Sequence, residues 1–250
     1  MCFDLDSLPP IPAIEGGAVG HEDLVLEAAD GNRFAAFSAQ PEEPSGKGVV
    51  VLPDVRGLYR FYEELALRFA ERGMSAVAID YFGRTAGVGK RGEEFPYMDH
   101  VEQMTTVGVT ADVRAAVEWL RAQKARAIFT VGFCLGGRLS WLANAAGHGL
   151  AGAVGFYGRP GPWADGEPGP IQLAFEMEAP VLALQAGDDQ NITAEDNAAF
   201  ERALAEAGVE HELVTYEGAP HSFFDRKQVE FADASADAWR RVLAFIEQNA

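Results

Sequence analysis

An apolar run at residues 127–131 leads straight into Gly132-Phe133-Cys134-Leu135-Gly136-Gly137, and from there into a helix-like segment at residues 138–146. Few layouts constrain a fold more. A strand, a tight turn and a helix in immediate succession force the central residue of the turn into a strained conformation. They also require neighbours without Cβ where strand and helix pass close together. The glycines meet that requirement, and Cys134 stands at the apex, where serine stands in the common form of this elbow. Its sulfur should be raised over the end of a sheet beside backbone N–H groups. That placement marks Cys134 as a candidate nucleophile.

The remaining chain supplies a sheet for the elbow to crown. Residues 24–27 and 34–38 read as two strands joined through Asp30-Gly31-Asn32, a hairpin signal. Residues 48–52 form a continuous apolar run, as expected of a strand buried on both faces. Further strands are expected at 76–79, 150–157, 180–184 and 212–216. Helices are expected at 59–72, 101–122, 193–207 and 229–248. Thr193 should cap the third of these, with Asp196 closing an imperfect capping box. Two leading strands followed by alternating β and α units predict an α/β fold. Its central sheet is mainly parallel, of about eight strands, with helices on both faces, in one domain over residues 1–250.

Composition narrows the function. The 250 residues carry 38 acidic and 20 basic side chains, a formal net charge of −18. Such a balance argues against nucleic acid and anionic membranes as partners. No apolar run approaches the roughly 18 residues of a membrane span, and the opening residues lack the pattern of a signal peptide. The two cysteines, Cys2 and Cys134, do not make a disulfide framework, so a reducing, cytoplasmic setting is expected. Nothing in the chain calls for a metal or cofactor.

A thiol nucleophile needs a base, and the base needs an orienting group. Of five histidines, His221 follows directly on the last expected strand, in Gly218-Ala219-Pro220-His221-Ser222-Phe223. His21, His100, His148 and His211 read as surface or satisfied structural histidines. After the strand ending at Gln185 comes Ala186-Gly187-Asp188-Asp189-Gln190-Asn191-Ile192. Asp189 is the expected partner of His221, with Asp188 as the alternative. The order Cys134, Asp189, His221 is nucleophile, acid, base. The backbone N–H groups of Leu135 and Val55 are the expected oxyanion donors. Among the aromatic residues near strand ends, Tyr157, Trp163 and Phe223 are the better candidates for a pocket that takes a small, planar ester or lactone.

Together these residues resemble the dienelactone hydrolases (carboxymethylenebutenolidases), cysteine members of the α/β-hydrolase superfamily. The quoted features are the Gly132–Gly137 elbow, the acid loop from Gly187 to Thr193, Pro220-His221-Ser222-Phe223, and Ile79-Asp80-Tyr81-Phe82-Gly83-Arg84. The resemblance implies hydrolysis of an ester or lactone through an acyl-thioenzyme. It also implies a carboxylate and an arginine beside the thiol, at the positions of Asp54 and Arg84. In that scheme the thiol rests largely neutral, and binding of substrate shifts the acidic residue so that the thiolate forms. A second family arginine falls at Asp225 in this chain, with Arg226 one residue later. The expected partner is a small molecule, and the expected assembly a monomer or small homo-oligomer. The competing reading is a thiol redox sensor or a non-catalytic binding protein on the same fold. A sensor, however, has no use for an orienting aspartate.

Overall fold

The computed structural model describes residues 3–14, 19–164 and 166–250. Cys2 lies outside the described residues. Eight strands form one sheet in the order β1-β2-β4-β3-β5-β6-β7-β8. They are β1 (Val19–Glu27), β2 (Arg33–Pro41), β3 (Lys47–Leu52), β4 (Ser75–Ile79), β5 (Ala127–Phe133), β6 (Gly152–Phe156), β7 (Val181–Asp188) and β8 (His211–Pro220). β1–β2 and β2–β4 pair antiparallel, and every later pair is parallel. The first turn is the expected one: Gly31 sits at φ 84°, and its N–H donates to Ala28 O at 2.8 Å.

The helices are α1 (Arg60–Ala70), α2 (Gly83–Ala86), α3 (Tyr97–Val101), α4 (Thr106–Ala122), α5 (Leu135–Asn144), α6 (Ala194–Ala207) and α7 (Ala232–Gln248). Strand periodicity divides them between two faces. Val49 and Val51 of β3 join one core with Phe61, Leu65 and Phe69 of α1 and Trp239 and Val242 of α7. Val50 and Leu52 join the other, with Val113, Val117 and Leu120 of α4 and Leu139 of α5. All four of these strand residues are fully buried. Each contributes on the order of 1.5–3 kcal/mol by leaving water, so a slip of register by one residue would exchange the two faces and is strongly disfavoured.

Several expected elements come out differently. Residues 101–122 are not one helix. α3 ends at Val101, and α4 begins after Thr105, whose side chain accepts from Gly108 N–H. That cap is a local stop that apolar periodicity does not reveal. The expected closing helix also starts late, because residues 229–231 form a 3-10 turn ahead of α7. β7 and β8 both run past their expected ends, and these extensions carry them toward the residues of the site. The capping box of α6 is complete: Thr193 Oγ1 accepts from Asp196 N–H at 3.1 Å, and Asp196 Oδ2 accepts from Thr193 N–H at 2.8 Å. No helix among the described residues is long and apolar enough to cross a membrane.

Candidate active site

β5 ends at Phe133 and α5 begins at Leu135, leaving Cys134 alone in the turn at φ 56°, ψ −115°. This left-handed strain is held from several sides. Cys134 N–H donates to Phe156 O at 3.0 Å, tying the elbow to β6. A Cβ on Gly132 would overlap the Gly136 carbonyl, and one on Gly136 would overlap the carbonyls of Leu52 and Pro53. Only glycine allows helix, strand and β3 loop to approach this closely.

Cys134 opens onto a cavity of about 550 Å³ that it shares with Leu135, Val55, Tyr157, Trp163 and His221. His221 follows immediately on β8. Its Nδ1 lies 2.6 Å from Asp189 Oδ2, and the Asp189 side chain is fully buried. Asp189 Oδ1 accepts from Asn191 N–H at 2.9 Å. Of the two aspartates after β7, then, Asp189 faces the imidazole, and Asp188 is exposed at the strand end. The Tyr157 ring, held at φ 37° at the end of β6, flanks the imidazole at 4.9 Å between centroids.

Burial by itself would depress the His221 pKa. The hydrogen bonds and negative charge of Asp189 and Cys134 outweigh it and hold His221 up at about 9. Asp189 answers in kind: burial would raise it, but the His221 and backbone donors bring it below the ordinary carboxylate value. At neutral pH the imidazolium is therefore the favoured form beside the sulfur.

The two expected oxyanion donors also meet the cavity. Leu135 is the first residue of α5, where the helix leaves its N–H without an acceptor. Val55 sits in a loop whose neighbouring amides are already used. Asp54 N–H donates to Tyr62 OH at 2.8 Å, Arg56 N–H to Asp54 Oδ1 at 2.9 Å, and Gly57 N–H to Asp54 O at 3.0 Å.

Three expected site residues are placed otherwise. Arg84 does not line the cavity. It is bound to Asp112 at 2.8 Å and to Asp30 at 2.5 Å, on the side of the β1–β2 hairpin and α4. Asp112 is fully buried, so its charge demands a counter-ion and Arg84 supplies it. Phe223 is fully buried in the core, where it packs on Tyr157 and Tyr216, and does not line the cavity. Asp54 is buried with its carboxylate committed: Oδ2 accepts from Arg56 Nη2 at 3.0 Å and Tyr59 OH at 2.9 Å. With Arg56 N–H also donating to its Oδ1 at 2.9 Å, that carboxylate is tied into the Val55 loop. Arg226 borders a separate groove beside residues 8–13. His148, expected at the surface or satisfied, is buried with neither ring nitrogen bonded. Burial and the charges of Arg114 and Arg121 push its pKa down to about 4.

The sequence reading missed Arg138 and Arg159, both of which line the cavity, together with Met98 and Val101 around α3 and Asn191 and Ile192 from the acid loop. Arg138 carried a signal. It is the one charged residue of α5, four positions after the elbow cysteine. Among the described residues no cluster of three or more His, Cys, Asp or Glu side chains is arranged to hold a metal ion.

Comparison with known proteins bears on the family of the chain. The model of the dienelactone hydrolase family matches residues 34–250. The chain belongs to the dienelactone hydrolase family. Membership makes it a hydrolase of the carboxylic ester and lactone class. A dienelactone hydrolase relative from Rhodococcus opacus, named carboxymethylenebutenolidase, is 27% identical over 256 residues, covering 99% of this chain and 97% of its own. A Klebsiella pneumoniae protein provisionally named a dienelactone hydrolase has a crystal structure with a TM-score of 0.79. It is 25% identical, covering 92% of this chain and 99% of that one. P91, a dienelactone hydrolase-like promiscuous phosphotriesterase from metagenomic libraries, shares the fold at a TM-score of 0.79 and 22% identity, over 93% of this chain and 99% of that one. The eight-stranded, mostly parallel sheet is thus the α/β-hydrolase fold of dienelactone hydrolases.

Proposed function

We propose that the protein is a cysteine-dependent hydrolase of small esters or lactones that works through an acyl-thioenzyme. The observation that carries this reading is the meeting of β5, β7 and β8 at one cavity. There Cys134 stands at the apex of a strained elbow and His221 is oriented by Asp189 at 2.6 Å. The imidazolium favoured up to about pH 9 stabilises a thiolate beside it. A free thiol has a pKa of about 8.5 and is only slightly ionised at neutral pH.

The steps balance around that pair. Cys134 Sγ attacks the carbonyl carbon, and the oxyanion is received by the N–H groups of Leu135 and Val55. The carbon–oxygen bond to the leaving group breaks, and the leaving oxygen takes the His221 proton. In the acyl-enzyme the sulfur no longer bears charge, so one of the two supports that raise His221 is gone and the imidazole becomes a better base. It takes a proton from water, the hydroxide adds to the thioester, and the carbon–sulfur bond breaks. The acid departs and the thiolate–imidazolium pair is restored. Asp54 acts by fixing the loop that carries Val55.

In this reading one domain over residues 1–250 acts on a small molecule in the cytoplasm without a cofactor, as a monomer or small homo-oligomer. A chromogenic ester assay on wild type and Cys134→Ala, with mass spectrometry of a quenched turnover, tests the chemistry. Wild-type turnover with an acyl mass on the Cys134 peptide is expected. Equal background hydrolysis in both proteins would refute it.

A further inference from the structure

Arg138 occupies the first turn of α5 and is 3% exposed, yet it lines the same cavity as Cys134. Its Nη1 donates to the carbonyls of Arg159, at 3.0 Å, and Gly161. The Trp163 ring covers one face, with its centroid 4.1 Å from Cζ. Nε and Nη2 are buried and have no acceptor. Those two nitrogens form one edge of the guanidinium, with two parallel N–H donors spaced to match the two oxygens of a carboxylate.

Among the described residues no acceptor fills that edge. Glu167 acts on Arg138 through charge, but its carboxylate accepts from Thr106 Oγ1 at 3.0 Å. Burial and the charge of Arg159 bring the Arg138 pKa down to about 10, so the group stays charged at neutral pH. A buried charge with one edge unpaired is costly to keep unless a ligand completes it. The cavity has the same bias. In a chain of net charge −18, its described lining holds Arg138, Arg159 and His221 and no aspartate or glutamate.

We propose that Arg138 is the specificity-determining anchor of this cavity: a carboxylate carried by the substrate accepts from its Nε–Nη2 edge, with Arg159 adding positive charge at the rim. The proposal rests on the hydrolase reading of Cys134 and assigns the anionic end of its substrate. In this structure Gly169 stands over the edge, since a Cβ on it would lie 3.0 Å from Nη2. A substrate reaches that edge of Arg138 by displacing Gly169, while α5 and Cys134 stay fixed.

The test compares mono-4-nitrophenyl glutarate, which is anionic, with neutral 4-nitrophenyl butyrate. Wild type should favour the glutarate in kcat/KM. In Arg138→Gln the ratio of anionic to neutral kcat/KM should fall about 10- to 100-fold, mainly through KM, as expected for a lost charge-assisted pair. Arg159→Gln, an exposed change, should lower the ratio about threefold, in the range of an exposed charge contact. An equal loss on both esters, or no wild-type preference, overturns the proposal. Should Arg138→Gln fail to fold by near-ultraviolet circular dichroism, Arg138→Lys keeps the charge without the fork and should still lower the ratio. Separately, glutarate and inorganic phosphate are titrated into Cys134→Ala protein by calorimetry. Glutarate binding that weakens at least tenfold on adding Arg138→Gln supports the anchor. Binding that does not depend on Arg138, binding of phosphate alone, or no glutarate binding overturns it. If wild type cleaves neither ester, the reading of Cys134 as nucleophile toward small esters falls, and the titration still decides the anchor.

Discussion

Arg84 and Arg138 stand in contrasting environments. Arg84 lies where a family pattern leads one to expect a substrate-facing arginine, but Asp112 and Asp30 hold it. Arg138 lies outside that family pattern, is more deeply buried, and has an edge with no acceptor among the described residues. An arginine's role follows from which acceptors surround it, because a guanidinium already paired to a buried carboxylate has little left to offer a ligand. The first arginine belongs to the architecture of the β1–β2 side, the second to the cavity over β5 and β6.

That contrast can be broken most sharply at the chemistry both arginines are measured against. Cys134→Ala should reduce ester turnover by about 10⁴- to 10⁶-fold, the scale of losing a nucleophile. Residual turnover near wild type would move the reaction away from the Arg138 cavity altogether. Asp189→Asn should cost about 10³- to 10⁴-fold in kcat with little change in folding, while Asp188→Asn should stay close to wild type. Reversal of that pair would mean that the acid loop sits differently over the cavity.

A smaller effect separates the arginines themselves. Arg84→Met strips a fully buried carboxylate of its counter-ion and should destabilise the fold by about 2–4 kcal/mol in urea unfolding. Its kcat/KM on a neutral ester should remain within about twofold of wild type, as for a change far from the reacting atoms. A large kinetic loss without loss of stability would return Arg84 to the site.

The smallest effect is a titration. His221 is held at about 9 by Asp189 and Cys134, so it is charged below that pH and loses its proton above it. In Cys134→Ala one support is removed, and the His221 pKa followed by NMR should move down, by about one unit or more. The reciprocal readout is alkylation of Cys134 by iodoacetamide. In wild type its rate should hold toward neutral pH, and in His221→Ala its inflection should move up toward about 8.5. Identical profiles would remove the thiolate–imidazolium pair.

Much of this protein was legible in its residues. The Gly132–Gly137 elbow, the Asp30-Gly31-Asn32 turn and the Thr193 cap are local devices, in which neighbours a few positions apart fix the backbone through sterics or one hydrogen bond. Alternation along β3 sorted its residues between the two cores. Even the constellation of Cys134, Asp189 and His221 could be set out as three strand ends in order. The break at Thr105 escaped, because a capping threonine inside an apolar-periodic stretch resembles any other helix residue. Phe223 was misplaced because its position after a strand end does not say which way its ring turns.

The sequence by itself determined the sheet, its two-faced core and the elbow that lifts Cys134, since each follows from steric and periodic rules acting over short stretches. Only the tertiary structure decided the electrostatics. Asp112, 28 residues beyond Arg84, takes that arginine out of the site, Arg56 and Tyr59 lock Asp54, and the Arg159 and Gly161 carbonyls hold Arg138 with one edge unbonded. Charge acts through space, so the partners that settle an ionised side chain's role are those the fold brings near, whatever their distance along the chain.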